Sequence, residues 1–269
     1  MTDFQSPQWL IELKNITVEL GGRDVLNSIS FNLAEGEFVG LIGTNGAGKT
    51  TLLRTILGLI TPNSGQLSIA QGTSQKRSSI FGYVPQKLSV DPNIPVRVFD
   101  FVFLGVDGHR LGLPKRSRES RNRVEEVLAL LDIVGLATQR LGTLSGGELQ
   151  RATIAHALVS RPKILILDEP LANLDIKSES EIVGVLSNIS KKLGVGILIS
   201  AHEMNTLLPF MDKVIYLANG RVASGRTKEV ITHEVLSGLY GYPINVFDLN
   251  GRIVVMADQP GEIDHLGPQ

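Results

Sequence analysis

Phe38-Val39-Gly40-Leu41-Ile42 runs into Gly43-Thr44-Asn45-Gly46-Ala47-Gly48-Lys49-Thr50, which opens onto Thr51-Leu52-Leu53-Arg54-Thr55-Ile56-Leu57. The three stretches are an apolar run, a glycine loop and a helical pattern. In that order they form the context in which G-x-x-x-x-G-K-[ST] holds nucleotide phosphates. Glycine lets backbone N–H groups close around phosphate oxygens. The helix N-terminus adds the positive end of its dipole. Lys49 has the reach for the β- and γ-phosphates, and the Thr50 hydroxyl can hold Mg²⁺. Thr51, in the first helical turn, joins the nucleotide-binding set. A bare glycine turn before a helix would read the same without its flanks; the strand and helix around it favour phosphate.

Composition narrows what surrounds this loop. A chain of 269 residues makes one large domain, or one with additions. Apolar residues are 42% of it, enough for a sizeable core. The net charge of −1 argues against a general nucleic-acid binder. Without cysteine, disulfides, Cys-based zinc sites and thiol catalysis are excluded, which fits a reducing compartment. No apolar run approaches the ~18–20 residues of a bilayer span. Met1-Thr2-Asp3-Phe4-Gln5-Ser6-Pro7 lacks the basic-then-apolar layout of a secretory signal. The expectation is a soluble intracellular protein that meets a membrane only through a partner.

From Leu10 to Phe38 apolar and polar residues roughly alternate around Gly21-Gly22-Arg23-Asp24, which predicts antiparallel strands. Ile80-Phe81-Gly82-Tyr83-Val84, Lys163-Ile164-Leu165-Ile166-Leu167 and Gly196-Ile197-Leu198-Ile199-Ser200 are buried-strand candidates. The last two are continuous apolar runs, which suits a parallel sheet covered on both faces. Lys87 to Val159 differs in character. Its basic stretch from Arg116 to Arg123 reads as a solvated helix face, leading into Val124, Val127, Leu128 and Leu131 on one helical side. Near the end, Asn250-Gly251 between apolar segments signals a hairpin, and Asp258 to Gln269 reads as a frayed end.

Two further stretches carry chemistry. Leu165-Ile166-Leu167-Asp168-Glu169-Pro170 ends a buried strand with two carboxylates, where open α/β sheets bind ligands. Asp168 can support Mg²⁺ or its water, and Glu169 can polarise an attacking water. Leu144-Ser145-Gly146-Gly147-Glu148-Leu149-Gln150-Arg151 opens a helix, with Ser145 and Glu148 at capping-box spacing. A cap does not need two glycines in its first turn, each costing roughly 1 kcal/mol against alanine. An anion site does.

Together, Gly43–Thr50, Leu144–Arg151 and Leu165–Pro170 resemble the Walker A, signature and Walker B motifs of ABC-type ATPases. The signature is the discriminating one. Gln86, after Tyr83-Val84-Pro85, resembles the Q-loop glutamine. Ala172-Asn173-Leu174-Asp175 resembles the D-loop, and His202 resembles the switch histidine. All six stand in family order, and the resemblance covers about residues 10–230. It implies an α/β P-loop NTPase core with a parallel sheet, an N-terminal antiparallel β subdomain and an inserted helical subdomain at about 87–159. The nucleotide-binding domain would span 1–230, and a small C-terminal extension 231–269.

The resemblance further implies a head-to-tail homodimer that sandwiches two ATP molecules with Mg²⁺. Ser145, Gly146, Gly147 and Glu148 would face the ATP held by the partner's Gly43–Thr50 loop, and Asp175 would sit in the D-loop. Glu169 would be general base, with His202 on the γ-phosphate and the attacking water. Thr50, Gln86 and Asp168 would serve Mg²⁺. Three positions depart from the family pattern. Leu20 stands where an aromatic residue usually stacks on adenine, His156 where arginine is common, and Thr44 where proline is frequent.

Phe99, Val102 and Phe103 have helical spacing after Gln86. They read either as core or as a groove for a permease helix, and the resemblance favours the groove. Softer likenesses are Val98–Gly105, His109-Arg110 and Leu239–Val246, which resemble importers of zinc, manganese and chelated metals. The expected protein is an ATPase driving metal-ion import. It would lie peripherally on the cytoplasmic side of the membrane, with a permease and a substrate-capture protein as partners. Iron-chelate or corrinoid import is the alternative. A soluble ABC protein working on ribosomes or DNA is another class, and a nucleotide-binding scaffold is disfavoured because Glu169 and His202 are both present.

Overall fold

The computed structural model describes residues 9–70, 80–88, 90–106 and 117–257. The N-terminal stretch read for a signal, the pair His109-Arg110, Arg116 and the tail from Asp258 lie outside them.

The chain opens with β1 (Trp9–Leu20) and β2 (Arg23–Ala34), antiparallel and joined at Leu20↔Arg23. Gly21 and Gly22 both take positive φ, as a two-residue primed turn requires. Then come β3 (Phe38–Ile42), α1 (Lys49–Leu57), β4 (Ser64–Ile69) and β5 (Phe81–Val84). Helices α2 (Val98–Leu104), α3 (Arg118–Leu130) and α4 (Gly146–Leu158) follow, ahead of β6 (Ile164–Leu167), α5 (Ile176–Leu193), β7 (Gly196–Ala201), β8 (Lys213–Ala218) and β9 (Arg221–Gly225). The described chain closes with α6 (Thr227–Val230), α7 (His233–Tyr240), β10 (Ile244–Leu249) and β11 (Arg252–Ala257).

The central sheet has the order β5-β6-β7-β3-β8-β9, parallel except for β9. A second sheet, β2-β1-β4, is antiparallel. The fold is the expected α/β arrangement. Continuous apolar runs become parallel strands because both faces of the sheet are covered. Ile164, Ile166, Leu198, Leu41 and Ile215 face β1, β2 and α1. Leu165, Leu167, Ile199, Ile42 and Val214 face the helices of the other layer. Each such side chain contributes about 1.5–3 kcal/mol when fully buried.

Element ends follow local rules. Gly58 closes α1 in the left-handed region, its N–H donating to the Arg54 and Thr55 carbonyls. Asp175 caps α5 and Gly194 ends it. Three strands, β4, β8 and β9, lie beyond the stretches marked in the sequence. β4 is a half-exposed edge strand with little apolar signal. β8, Val214-Ile215-Tyr216-Leu217-Ala218, is a buried apolar run of the same kind as β6. Ile80 lies one residue ahead of β5, where its carbonyl accepts from the N–H groups of Lys163 and Ile164.

The C-terminal segment folds onto the main core, with Leu236, Leu239 and Ile244 in the helix-side cluster. Its hairpin turns at Asn250-Gly251, both at positive φ, as the sequence predicts. No helix among the described residues is long and apolar enough to cross a membrane.

Candidate nucleotide site

The glycine loop leaves β3 and enters α1 at the carboxyl edge of the central sheet. Gly46 and Gly48 take φ of 80° and 106°, which a side chain disfavours. Gly43 is needed for another reason: a Cβ there would sit 2.4 Å from the Leu217 carbonyl oxygen. Asn45, Gly46, Gly48, Lys49, Thr50 and Thr51 line a cleft of about 340 Å³ together with Val25, Gln86 and Glu169. Gly43, Thr44 and Ala47 support the loop from behind. Ala47 packs on the core, and the carbonyls of Gly43 and Thr44 accept from Lys49 Nζ at 2.8 and 3.2 Å.

Lys49 is buried, at 4% side-chain exposure, and its ammonium also meets Glu169 Oε1 at 3.1 Å. Glu169 Oε2 accepts from Gln86 Nε2 at 2.7 Å. Both oxygens of this carboxylate are therefore engaged, by one residue of the loop and one from the end of β5. Glu169 has φ 46°, and that left-handed turn after β6 separates it from Asp168. Asp168 is buried, and its Oδ1 accepts from Ser200 Oγ at 2.9 Å and faces Thr50 Oγ1 at 3.4 Å. Ser200 Oγ also accepts from the Glu169 N–H at 2.9 Å. One serine on β7 thus braces both carboxylate residues, a role the sequence reading missed. Its signal was a lone hydroxyl in an apolar run. Burial, and then the Asp168 charge, raise the Tyr83 phenol above its ordinary range, with Arg54 opposing.

His202 ends β7 on an exposed turn and borders a second cavity with Glu169, Ala172, Asn173 and Glu179. That cavity shares Glu169 with the phosphate cleft, so the D-loop, His202 and the loop site converge on one carboxylate. Asp175 itself caps α5, accepting from the Ser178 N–H at 3.0 Å and hydroxyl at 2.6 Å; these bonds hold its carboxyl below the usual range.

The signature segment lies elsewhere in the subunit. Ser145 and Glu148 form the full capping box of α4. Bonds from the Ser145 backbone and hydroxyl lower the Glu148 carboxyl. A Cβ on Gly146 would meet Leu174, and one on Gly147 would meet Ser178. The signature loop of this chain therefore packs beside its own D-loop, and Ser145, Gly146 and Gly147 line neither cavity that holds Glu169. Arg151 ties α4 to the Leu131 carbonyl and to Glu181 of α5.

Two sequence departures gain structural content. Leu20 is exposed at the end of β1, and Val25 lines the phosphate cleft instead. His156 stacks on Phe101, with ring centroids 4.6 Å apart, and its Nδ1 lies 2.8 Å from the Phe101 carbonyl oxygen. It joins α4 to α2. Of the proposed groove residues, Val102 and Phe103 are core; Phe99 is half-buried and Leu104 exposed.

A phosphate-cradling loop with a buried lysine, facing the carboxylates that end the neighbouring strand, defines a P-loop nucleotide-binding ATPase. The ABC transporter family profile matches residues 26–172. The chain is 38% identical to the manganese transport system ATP-binding protein MntB of Bacillus subtilis, over 93% of this chain and 96% of that one. It is 36% identical to the zinc import ATP-binding protein ZnuC of Hydrogenovibrio crunogenus, over 86% and 88%. Among solved structures it resembles a metal-chelate type ABC transporter in an inward-facing conformation, with a TM-score of 0.78, 24% identity and coverage of 92% and 96%. It also resembles the dimeric post-hydrolysis state of the ATP-binding cassette MJ0796 bound to ADP and Pi, with a TM-score of 0.67, 28% identity and coverage of 80% and 98%. The chain belongs to the ABC transporter family, as its ATP-binding, ATP-hydrolysing subunit.

Proposed function

We propose that this chain energises an importer of a divalent metal ion, zinc or manganese. Relatives at 36–38% identity over most of the chain carry those transport names, which supports the cargo class. The observation that carries the chemistry is Glu169 at the wall of the phosphate cleft, 3.1 Å from Lys49. Phosphate entering the loop competes with Glu169 for that ammonium. Nucleotide binding thus releases a carboxylate beside the phosphates, where a general base for water is needed.

Thr50 and Asp168 offer hard oxygen donors suited to Mg²⁺, which binds through one or two carboxylates plus substrate phosphates. When bound, Mg²⁺ neutralises phosphate charge. The loop N–H groups orient the γ-phosphate, Glu169 takes the proton of the attacking water, and His202 holds that water and the γ-phosphate. Gln86 leaves Glu169 and relays nucleotide state to the segment after it. Ser145, Gly146, Gly147 and Glu148 act on the ATP of a second copy, beside Asp175. A permease and a substrate-capture protein select the cargo, and the chain works on the cytoplasmic face of the membrane. Residues 1–230 form the nucleotide-binding unit, with the helices of about 87–159 facing the permease and 231–269 an added segment.

Glu169→Gln tests the base. Steady-state turnover is expected to fall at least about 10²-fold while ATP-dependent dimers persist in light scattering. Normal turnover sinks the assignment. For the cargo, the chain reconstituted with its permease is expected to show ATPase stimulation by the zinc- or manganese-loaded capture protein. Stimulation by an iron chelate or corrinoid instead reassigns it.

A further inference from the structure

Asn205 stands three residues after His202, and its carboxamide grips the C-terminal hairpin. Nδ2 donates to the Ile253 carbonyl at 3.1 Å, and the Ile253 N–H donates to Oδ1 at 2.9 Å. A primary amide presents donor and acceptor side by side, so this side chain pairs with β11 as a neighbouring strand's peptide would. Among the described residues β11 pairs with β10 on one side only, and its outer edge is where such groups are available.

The next residue is tied the other way. Thr206 Oγ1 donates to Glu179 Oε2 at 3.0 Å, in the first turn of α5. On either side of these anchors Met204 and Leu207 are buried. His202 is exposed, and among the described residues no side-chain hydrogen bond orients its ring. What aims the histidine is therefore its backbone, and the backbone just after it is held by the hairpin and by α5.

The hairpin does not need Asn205 to stay in place. Ile244 is buried, and Val246, Ile253 and Val255 on the same face pack against the main core. The amide pair adds direction to an attachment that apolar packing already supplies.

We propose that Asn205 is a positioning residue for hydrolysis: it registers the His202 segment on the β10–β11 hairpin, so the hairpin sets how well His202 meets the γ-phosphate. This rests on the ATPase reading above, in which His202 acts at the phosphate. Sequence pattern alone did not signal it, because Asn205 and Ile253 are 48 residues apart.

The experiment uses the full chain and measures ATPase rate against ATP concentration for wild type, Asn205→Ala, Asn205→Asp and His202→Ala, with thermal melting alongside. Asn205→Ala is expected to lower kcat at least about tenfold, within the ~10²-fold that misplacing a catalytic group can cost, with KM for ATP within about twofold and little change in melting. Asn205→Asp is expected to match it: a carboxylate still accepts from the Ile253 N–H but sets an oxygen against the Ile253 carbonyl. In a His202→Ala background, read by single-turnover phosphate release, Asn205→Ala is expected to add nothing. Unchanged kcat in both Asn205 variants overturns the proposal, as does a loss confined to KM or a further tenfold loss without His202. If His202→Ala alone leaves kcat intact, the reading of His202 falls and this inference with it. A loss in His202→Ala but not in Asn205→Ala sinks only the inference.

Discussion

Glu169 holds a left-handed backbone that costs a non-glycine residue about 1–2 kcal/mol, and its bonds to Ser200, Lys49 and Gln86 offset that cost. Removing the serine tests this. Ser200→Ala leaves a buried carboxylate and a backbone N–H short of a partner, so unfolding free energy is expected to drop by about 1–3 kcal/mol. Turnover should fall with it, since both carboxylate residues shift. A chemical-denaturation midpoint equal to wild type contradicts that role. Gly43→Ala is the matching test on the loop. Its new Cβ would meet the Leu217 carbonyl, and backbone must move, at a cost of about 1–3 kcal/mol. A lowered melting temperature with weaker ATP binding is the expected result, and a variant that melts and binds as wild type refutes the close approach. Asp168, Glu169 and the loop were legible in the sequence because each sits in a local motif. Ser200 was not, because its role exists only once β7 lies beside β6 with Leu167 opposite Ile199.

Helix α4 carries the signature at its start and the contact with α2 near its end. Its capping box depends on an ionised Glu148, whose carboxyl is lowered by the Ser145 backbone bond and then by the Ser145 hydroxyl. A lowered folded-state value means stabilisation present above the ordinary carboxylate pKa and lost as pH falls through the lowered one. Glu148→Gln should therefore melt below wild type near neutral pH, and the gap should close as pH falls below the ordinary glutamate pKa of about 4.3. A gap that stays constant into acid contradicts the cap's charge dependence. At the other end, Gly105 lets α2 approach α4 so closely that a Cβ would lie 2.2 Å from the His156 carbonyl oxygen. The same His156 ring stacks on Phe101. The capping box could be read from spacing, since S-x-x-E is local. The histidine's bond to Phe101 could not, because it joins two helices separated by α3.

For the whole molecule, the separation of the signature loop from the phosphate cleft matters most. Within one chain Gly146 packs beside Leu174 of the D-loop, and Ser145 lines neither cavity that holds Glu169, which leaves it available to a second copy's nucleotide. Ser145→Arg, made in the Glu169→Gln background, is expected to abolish ATP-dependent dimers in light scattering. The monomer should stay folded, with about 1 kcal/mol lost from the missing cap. ATP-induced dimers in that variant would sink the shared-site arrangement. The same scale holds the hairpin's link to the His202 segment, which ties the C-terminal segment to the wall of the cavity lined by His202 and Glu169.

The sequence by itself determined the family, the phosphate loop and the order of the motifs, and the glycine turns at Gly21-Gly22 and Asn250-Gly251. Each of these is written within a few consecutive residues, where backbone sterics and local hydrogen bonds decide the outcome. The tertiary structure alone decided that Lys49 and Gln86 share Glu169, that Ser200 braces Asp168 and Glu169, and that Asn205 holds Ile253. It also turned Val102 and Phe103 inward. Those pairings depend on strand order and on which apolar faces bury together, and burial is a property of the whole packed chain rather than of any one stretch.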